Sequence, residues 1–212
     1  MRWLIGIGGG SAVLCLIFLI LPLMIRATPR SSISEARGNA QQLGLMLFEF
    51  QNEYGKFPDR STIDAVRSAS GTKLTLSDRT SNDLFAQMLV LNYTDTEKLF
   101  YAKAKGMKRR PDSVFNTDAT ILEHGECAFA FLYGLSITGD PNRPIAFGPV
   151  IPGTSTLDGK SCEGKAIILR MDNSTTTLPI NSAGKIMENG FDLLDPRQPY
   201  WHGTAPDVKW PK

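Results

Sequence analysis

The sequence predicts an α+β domain behind an apolar N-terminal segment, and three observations carry that prediction. Helix-type patterns fill the first half of the chain after residue 31, and strand-type patterns fill the second. Helices first and strands later is the order of segregated α+β folds rather than of alternating α/β folds. The third observation is a run without charge from Trp3 to Ile25, rich in Leu and Ile and closed by Arg26.

That run sets the first expectation. A helix rising about 1.5 Å per residue and this long would cross a hydrocarbon core roughly 30 Å thick. A cleaved signal peptide would carry a shorter apolar core and a small-x-small site, and Met24-Ile25-Arg26-Ala27 is a poor one. Residues 1–26 are therefore expected to be an uncleaved transmembrane anchor and 31–212 a single soluble domain. Gly6 and Gly10 have the GxxxG spacing of closely packed membrane helices, and equally suit a turn near an interface. Arg2 precedes the run, whereas Arg26, Arg30 and Arg37 follow it, which alone leans towards a cytoplasmic domain.

The long helix is expected over 34–54. Ile33, Ala36, Ala40, Leu43, Leu47, Phe50 and Tyr54 recur at steps of three and four, which makes one apolar stripe. Ser34 suits its N-cap, Gly55 its left-handed end, and Pro58 forbids its resumption. Short helices are expected over 62–103: Thr62–Ala69 ended by Gly71, Leu84–Tyr93 capped by Ser81-Asn82-Asp83, and Asp95–Lys103. Residues 106–122 read as a long loop.

The sheet is expected over 126–182. Cys127–Tyr133 is a strand stopped by Gly134, and Ile145–Ile151 follows the turn Asp140-Pro141-Asn142-Arg143-Pro144. Lys165–Asp172 and Thr175–Ile180 form a hairpin about Asn173-Ser174. The tail, 190–212, is expected to be coil laid across the sheet.

Composition excludes some functions. The formal net charge is +2, and no basic patch interleaved with aromatics marks a nucleic-acid surface. The basic run Lys103, Lys105, Lys108, Arg109, Arg110 reads as a solvated loop. His124, Glu126 and Cys127 lack the spacing of a closed zinc site. No nucleophile elbow and no glycine-rich phosphate loop occurs. Asp172, Asp192, Asp195 and Asp207 are candidate calcium ligands, but their spacing matches no EF-hand. Tyr200, Trp201 and Trp210 suit burial against the sheet, with sugar stacking as the alternative. The expectation is a protein that is not an enzyme and needs no cofactor or small-molecule ligand.

Cys15 falls in the apolar run, which leaves Cys127 and Cys162 in the soluble part. An even pair outside the cytosol suggests a disulfide. Its loop of about 35 residues would contribute on the order of 3 kcal/mol.

Residues 35–58 carry a family resemblance. Glu35-Ala36-Arg37-Gly38-Asn39-Ala40-Gln41-Gln42-Leu43-Gly44-Leu45, Phe48-Glu49-Phe50 and Glu53-Tyr54-Gly55-Lys56-Phe57-Pro58-Asp59 resemble the bacterial pseudopilins. These are the G-type subunits of type II secretion and their type IV pilin-like relatives. The hairpin Gly164-Lys165-Ala166-Ile167-Ile168-Leu169-Arg170-Met171-Asp172-Asn173 and the ending Pro206-Asp207-Val208-Lys209-Trp210-Pro211 resemble an enlarged group of the same kind. The resemblance implies a membrane helix continuing into a long amphipathic helix packed on an antiparallel sheet. Leu43, Leu47, Phe50 and Tyr54 would pack helix on sheet, and Tyr54, Gly55, Phe57 and Pro58 would form the family turn. The chain departs at its start, with no acidic residue in the apolar run and no Phe-Thr-Leu-Ile-Glu motif.

The functional expectation follows: a pilin-like assembly protein of a secretion or pilus-like machine. It would sit in the bacterial inner membrane with a periplasmic head, and its partners would be the membrane and other pilin-like or secretion-system subunits. The alternative from another class is an anchored binding module for glycan or peptide, using the tail aromatics and the 106–122 loop.

Overall fold

A computed structural model describes residues 32–108, 110–136 and 138–212. The chain runs through α1 (Ser32–Tyr54), α2 (Ile63–Ser70) and α3 (Ser81–Val90) before any strand. Among the described residues seven strands follow: β1 (Ala130–Tyr133), β2 (Pro144–Gly148), β3 (Lys165–Arg170), β4 (Thr175–Pro179), β5 (Met187–Glu188), β6 (Phe191–Asp192) and β7 (Asp207–Lys209). The main sheet has the order β4-β3-β2-β1-β7 and is antiparallel throughout. β5 and β6 form a separate small hairpin.

The expected fold class is corrected in one part. The α+β order and the antiparallel sheet are present. However, among the described residues no helix is long and apolar enough to cross a membrane. The longest, α1, starts at Ser32 and is two-faced: Ala36, Ala40, Leu43, Leu47 and Phe50 are buried, while Glu35, Arg37, Gln41, Gln42 and Glu53 are exposed. A membrane helix running on into α1 is thus no part of the described fold, and the expected anchor, 1–26, lies outside the described residues.

α1 packs on the sheet at close range because Gly44 faces it. A Cβ there would lie 2.0 Å from Asn173 Oδ1 and 2.9 Å from Leu169 Cδ1. Glycine inside a helix costs about 1 kcal/mol relative to alanine, and the close approach is its physical justification. Gly55 ends the helix in the left-handed region (φ 77°), its N–H donating to Gln51 O at 2.7 Å.

The alternation of strand side chains divides the core in two. Phe131, Ile167 and Leu169 face α1 and join Leu43, Leu47, Phe50, Phe85 and Phe100. Ala130, Leu132, Ala166 and Ile168 face the other way, with Phe147, Ile186, Leu193, Tyr200 and Trp201. β3 is covered on both faces, so its centre is apolar without a break; only Lys165 is exposed.

Several boundaries differ from expectation for identifiable reasons. Thr80, not Ser81, caps α3: its hydroxyl accepts the Asp83 N–H, and the Asp83 carboxylate accepts the Thr80 N–H. α1 begins at Ser32, ahead of the expected cap Ser34. The helix expected over 95–103 shrinks to a 3-10 turn, Glu97–Phe100, capped by Thr96. Ala128 N–H donates to Phe100 O, so this segment is drawn alongside the approach to β1.

The tail is the largest correction to the expected layout. Residues 190–212 hold β6, a 3-10 turn (Pro199–Trp201) and β7, which pairs with β1 as the sheet edge. β5 and β6 turn on Asn189 (φ 51°) and Gly190 (φ 82°), the Asn-Gly pair that a tight hairpin favours.

Candidate functional site

Leu43, Leu47 and Phe50, expected to join helix and sheet, lie in the core cluster that holds Ile167 and Leu169 of the sheet, and Tyr54 packs at its margin. Leu43, Leu47 and Phe50 are fully buried. Tyr54 is half-buried and stacks on Phe50 with centroids 4.6 Å apart. Burial, and after it the neighbouring Glu53 carboxylate, raises its hydroxyl pKa. Below the Gly55 turn, Phe57 enters the core edge-on to Phe48 and Phe131 at 5.8 and 6.5 Å. Pro58 is buried beside it. The Asp59 carboxylate then accepts the Ser61 and Thr62 N–H groups, which starts the next turn. Leu45 points away from the core and is 61% exposed.

Cys127 and Cys162 are not bridged; the disulfide expectation is corrected. Both are free and buried in separate surroundings. Cys127 Sγ lies 3.8 Å from Ser81 Oγ and donates to Phe129 O. Cys162 Sγ lies 3.8 Å from both Ser32 O and Lys103 O, next to the start of α1. Burial pushes the Cys127 thiol up to about 12 and the Cys162 thiol up to about 11. Thiols so shifted carry little thiolate and are poor nucleophiles.

The candidate calcium ligands are scattered. Asp172 accepts the Ser174 N–H, Asp192 pairs with Lys185 at 3.0 Å, Asp195 with Arg197 at 2.7 Å, and Asp207 with Lys209 at 3.2 Å. Each carboxylate already serves a local turn or cation. Tyr200 and Trp201 are buried on the tail side of the sheet, and their polar atoms are engaged. Trp201 Nε1 donates to Leu193 O at 2.8 Å, and the Tyr200 hydroxyl donates to Glu188 Oε2 at 2.8 Å. Of the basic run, Lys108 pairs with Glu123, and Arg109 is outside the described residues.

A group that sequence spacing did not reveal lies in the connection from α3 to β1. Glu97, Asp112 and Glu126 each bring a carboxylate oxygen to within 4.8 Å of the others. Glu97 and Glu126 have no exposed surface, and Asp112 is exposed. Glu97 Oε1 accepts the Leu122 N–H at 2.7 Å, while Oε2 is buried and receives no hydrogen bond among the described residues. Glu126 Oε2 accepts the Glu123 N–H at 3.0 Å, and Lys108 Nζ stands 3.7 Å from Oε1. Burial pushes the Glu97 carboxyl up to about 7; the Leu122 and Ser113 N–H groups oppose this and the charges of Glu126 and Asp112 add to it. Unit charges ~5 Å apart repel by roughly 3 kcal/mol at an effective dielectric constant near 20. The three residues come from a 3-10 turn, a loop and the approach to β1, so no periodic spacing announces them.

No family model, curated protein or solved structure matches this chain.

Proposed function

We propose that this protein is a pseudopilin-like, membrane-anchored assembly subunit of a secretion or pilus-like envelope machine, with its head on the periplasmic side and no catalytic role. One observation carries the reading furthest: α1 presses one side onto an antiparallel sheet through Gly44 and holds Leu45 on its outer side. A helix clamped in this way can offer its free flank to neighbouring subunits. The uncharged run Trp3–Ile25 supports the anchor by composition alone.

The test is photo-crosslinking from position 45 in the organism's own membranes. The proposal expects adducts with a second copy or with pilin-like subunits. Absence of any adduct, at normal abundance, would contradict it. The intact mass separates two forms of the idea. Loss of about ten N-terminal residues would mark a processed filament subunit, whereas the full mass would mark an unprocessed scaffold.

A second reading has its own support. A cleft of about 360 Å³ on the tail side is lined by Phe147, Leu157, Leu194 and Trp210, with Lys185 and Asp195 among its polar groups. It would suit a glycan or peptide bound by an anchored receptor. Glycan binding lost in Trp210→Ala with the fold intact would favour this reading; no binding by the wild type would dismiss it.

A further inference from the structure

We propose that Glu97, Asp112 and Glu126 form a divalent-cation site, sized for calcium, that fastens the α3–β1 connection. Two independent observations support it. The first is the convergence of three carboxylates within 4.8 Å, two of them without exposed surface. The second is the Glu97 Oε2, a buried acceptor that receives no hydrogen bond among the described residues.

Nearby protein groups answer this charge only in part. Lys108 Nζ is engaged first by Glu123 and reaches Glu126 only at 3.7 Å. No ion pair to Glu97 or Asp112 is formed among the described residues. A cation satisfies Glu97 Oε2 and the clustered charge together.

The ligand chemistry selects the class of ion. Three carboxylates are hard oxygen donors, which suit calcium, magnesium or manganese rather than zinc or copper. Size selects within the class. At about 2.3–2.6 Å per bond, oxygens on opposite sides of one calcium ion are ~5 Å apart, and around magnesium only ~4 Å. Oxygens within 4.8 Å of one another lie inside the ~5 Å reach of one calcium ion. Asp112 is exposed and gives the ion a path from solvent; the two buried glutamates hold it from below. The ion would join the turn at 97–100 to the approach to β1, a stretch without helix or strand of its own.

The test uses the full-length chain stripped with a chelator and titrated calorimetrically with calcium or magnesium chloride. Thermal unfolding is followed in parallel. The proposal expects one calcium per chain, a rise of several degrees in the unfolding temperature, and magnesium at least tenfold weaker. Asp112→Asn changes an exposed side chain, should keep its circular dichroism spectrum, and should bind calcium at least tenfold more weakly. Asp172→Asn, at a separate turn, should bind like the wild type. Absence of both heat and thermal shift at millimolar calcium would overturn the site. Unchanged affinity in Asp112→Asn would do the same. Equal affinity for magnesium would overturn the assignment to calcium.

Discussion

One face of the main sheet is covered by a 23-residue helix, and the other by a segment with almost no regular structure. On the α1 face, adhesion is apolar and repetitive: Leu43, Leu47 and Phe50 meet Ile167 and Leu169 at helical spacing. On the tail face, polar fastenings do more of the positioning. Gln198 is buried, and its Nε2 donates to Glu188 O at 2.7 Å, with Phe191 O and Asp192 O also in reach at 3.3 Å. Arg170 is buried against Glu188 at 2.6 Å, and Arg143 Nε donates to Tyr200 O at 3.0 Å. A chain without helical repeats must satisfy its backbone group by group. The difference teaches that irregular chain can form half of a core when buried polar side chains take over the role of a hydrogen-bonded helix.

The comparison breaks if either cover proves dispensable. Trp201→Ala should cost about 3–5 kcal/mol in urea unfolding, as large aromatic truncations in cores do. Leu47→Ala should cost about 2–5 kcal/mol on the opposite face. A value near zero for either would mean that its cover is not part of the cooperative unit. Gly44→Leu sharpens the α1 side: overpacking against Asn173 and Leu169 should cost about 1–3 kcal/mol. No cost would mean that helix and sheet stand farther apart than described.

Half of this asymmetry was legible in the sequence. The stripe from Ile33 to Tyr54, the Gly55 stop and the β3–β4 hairpin are local signals that the fold obeys, because one element's own period records which side it buries. The tail carries no such period. Gln198, Tyr200 and Trp201 are placed by partners eight to twelve residues away, Glu188 and Leu193. The Asn189-Gly190 turn was a readable signal for β5–β6, missed because its strands are two residues each. The Glu97–Asp112–Glu126 group was not readable, since loops rather than any repeat bring it together.

Acid sharpens the comparison further. Asp158 is buried; burial alone would raise its pKa, but donors from Ser161, Lys160 and Lys105 outweigh it and hold the carboxyl below its ordinary value. A depressed folded pKa gives stability that is present above the unfolded value, about 3.9, and lost as pH falls through the folded one. Asp158→Asn should therefore lower neutral stability by about 1–3 kcal/mol and flatten the loss below about pH 4. An unchanged acid limb would remove Asp158 from the account.

The smallest expected effect is chemical. Cys127 and Cys162 should resist alkylation in the native protein and react once unfolded, with no reductant required. Protection that persists in denaturant until reductant is added would restore the disulfide.

Native-state hydrogen exchange tests most directly the claim that the irregular tail is as much core as α1. The account predicts that the amides of Leu193 and Trp201, bonded to Ile186 O and Gln198 O, exchange only through global unfolding, like those of Leu47 and Phe50. Exchange of the tail amides through a separate opening of much lower free energy would contradict it.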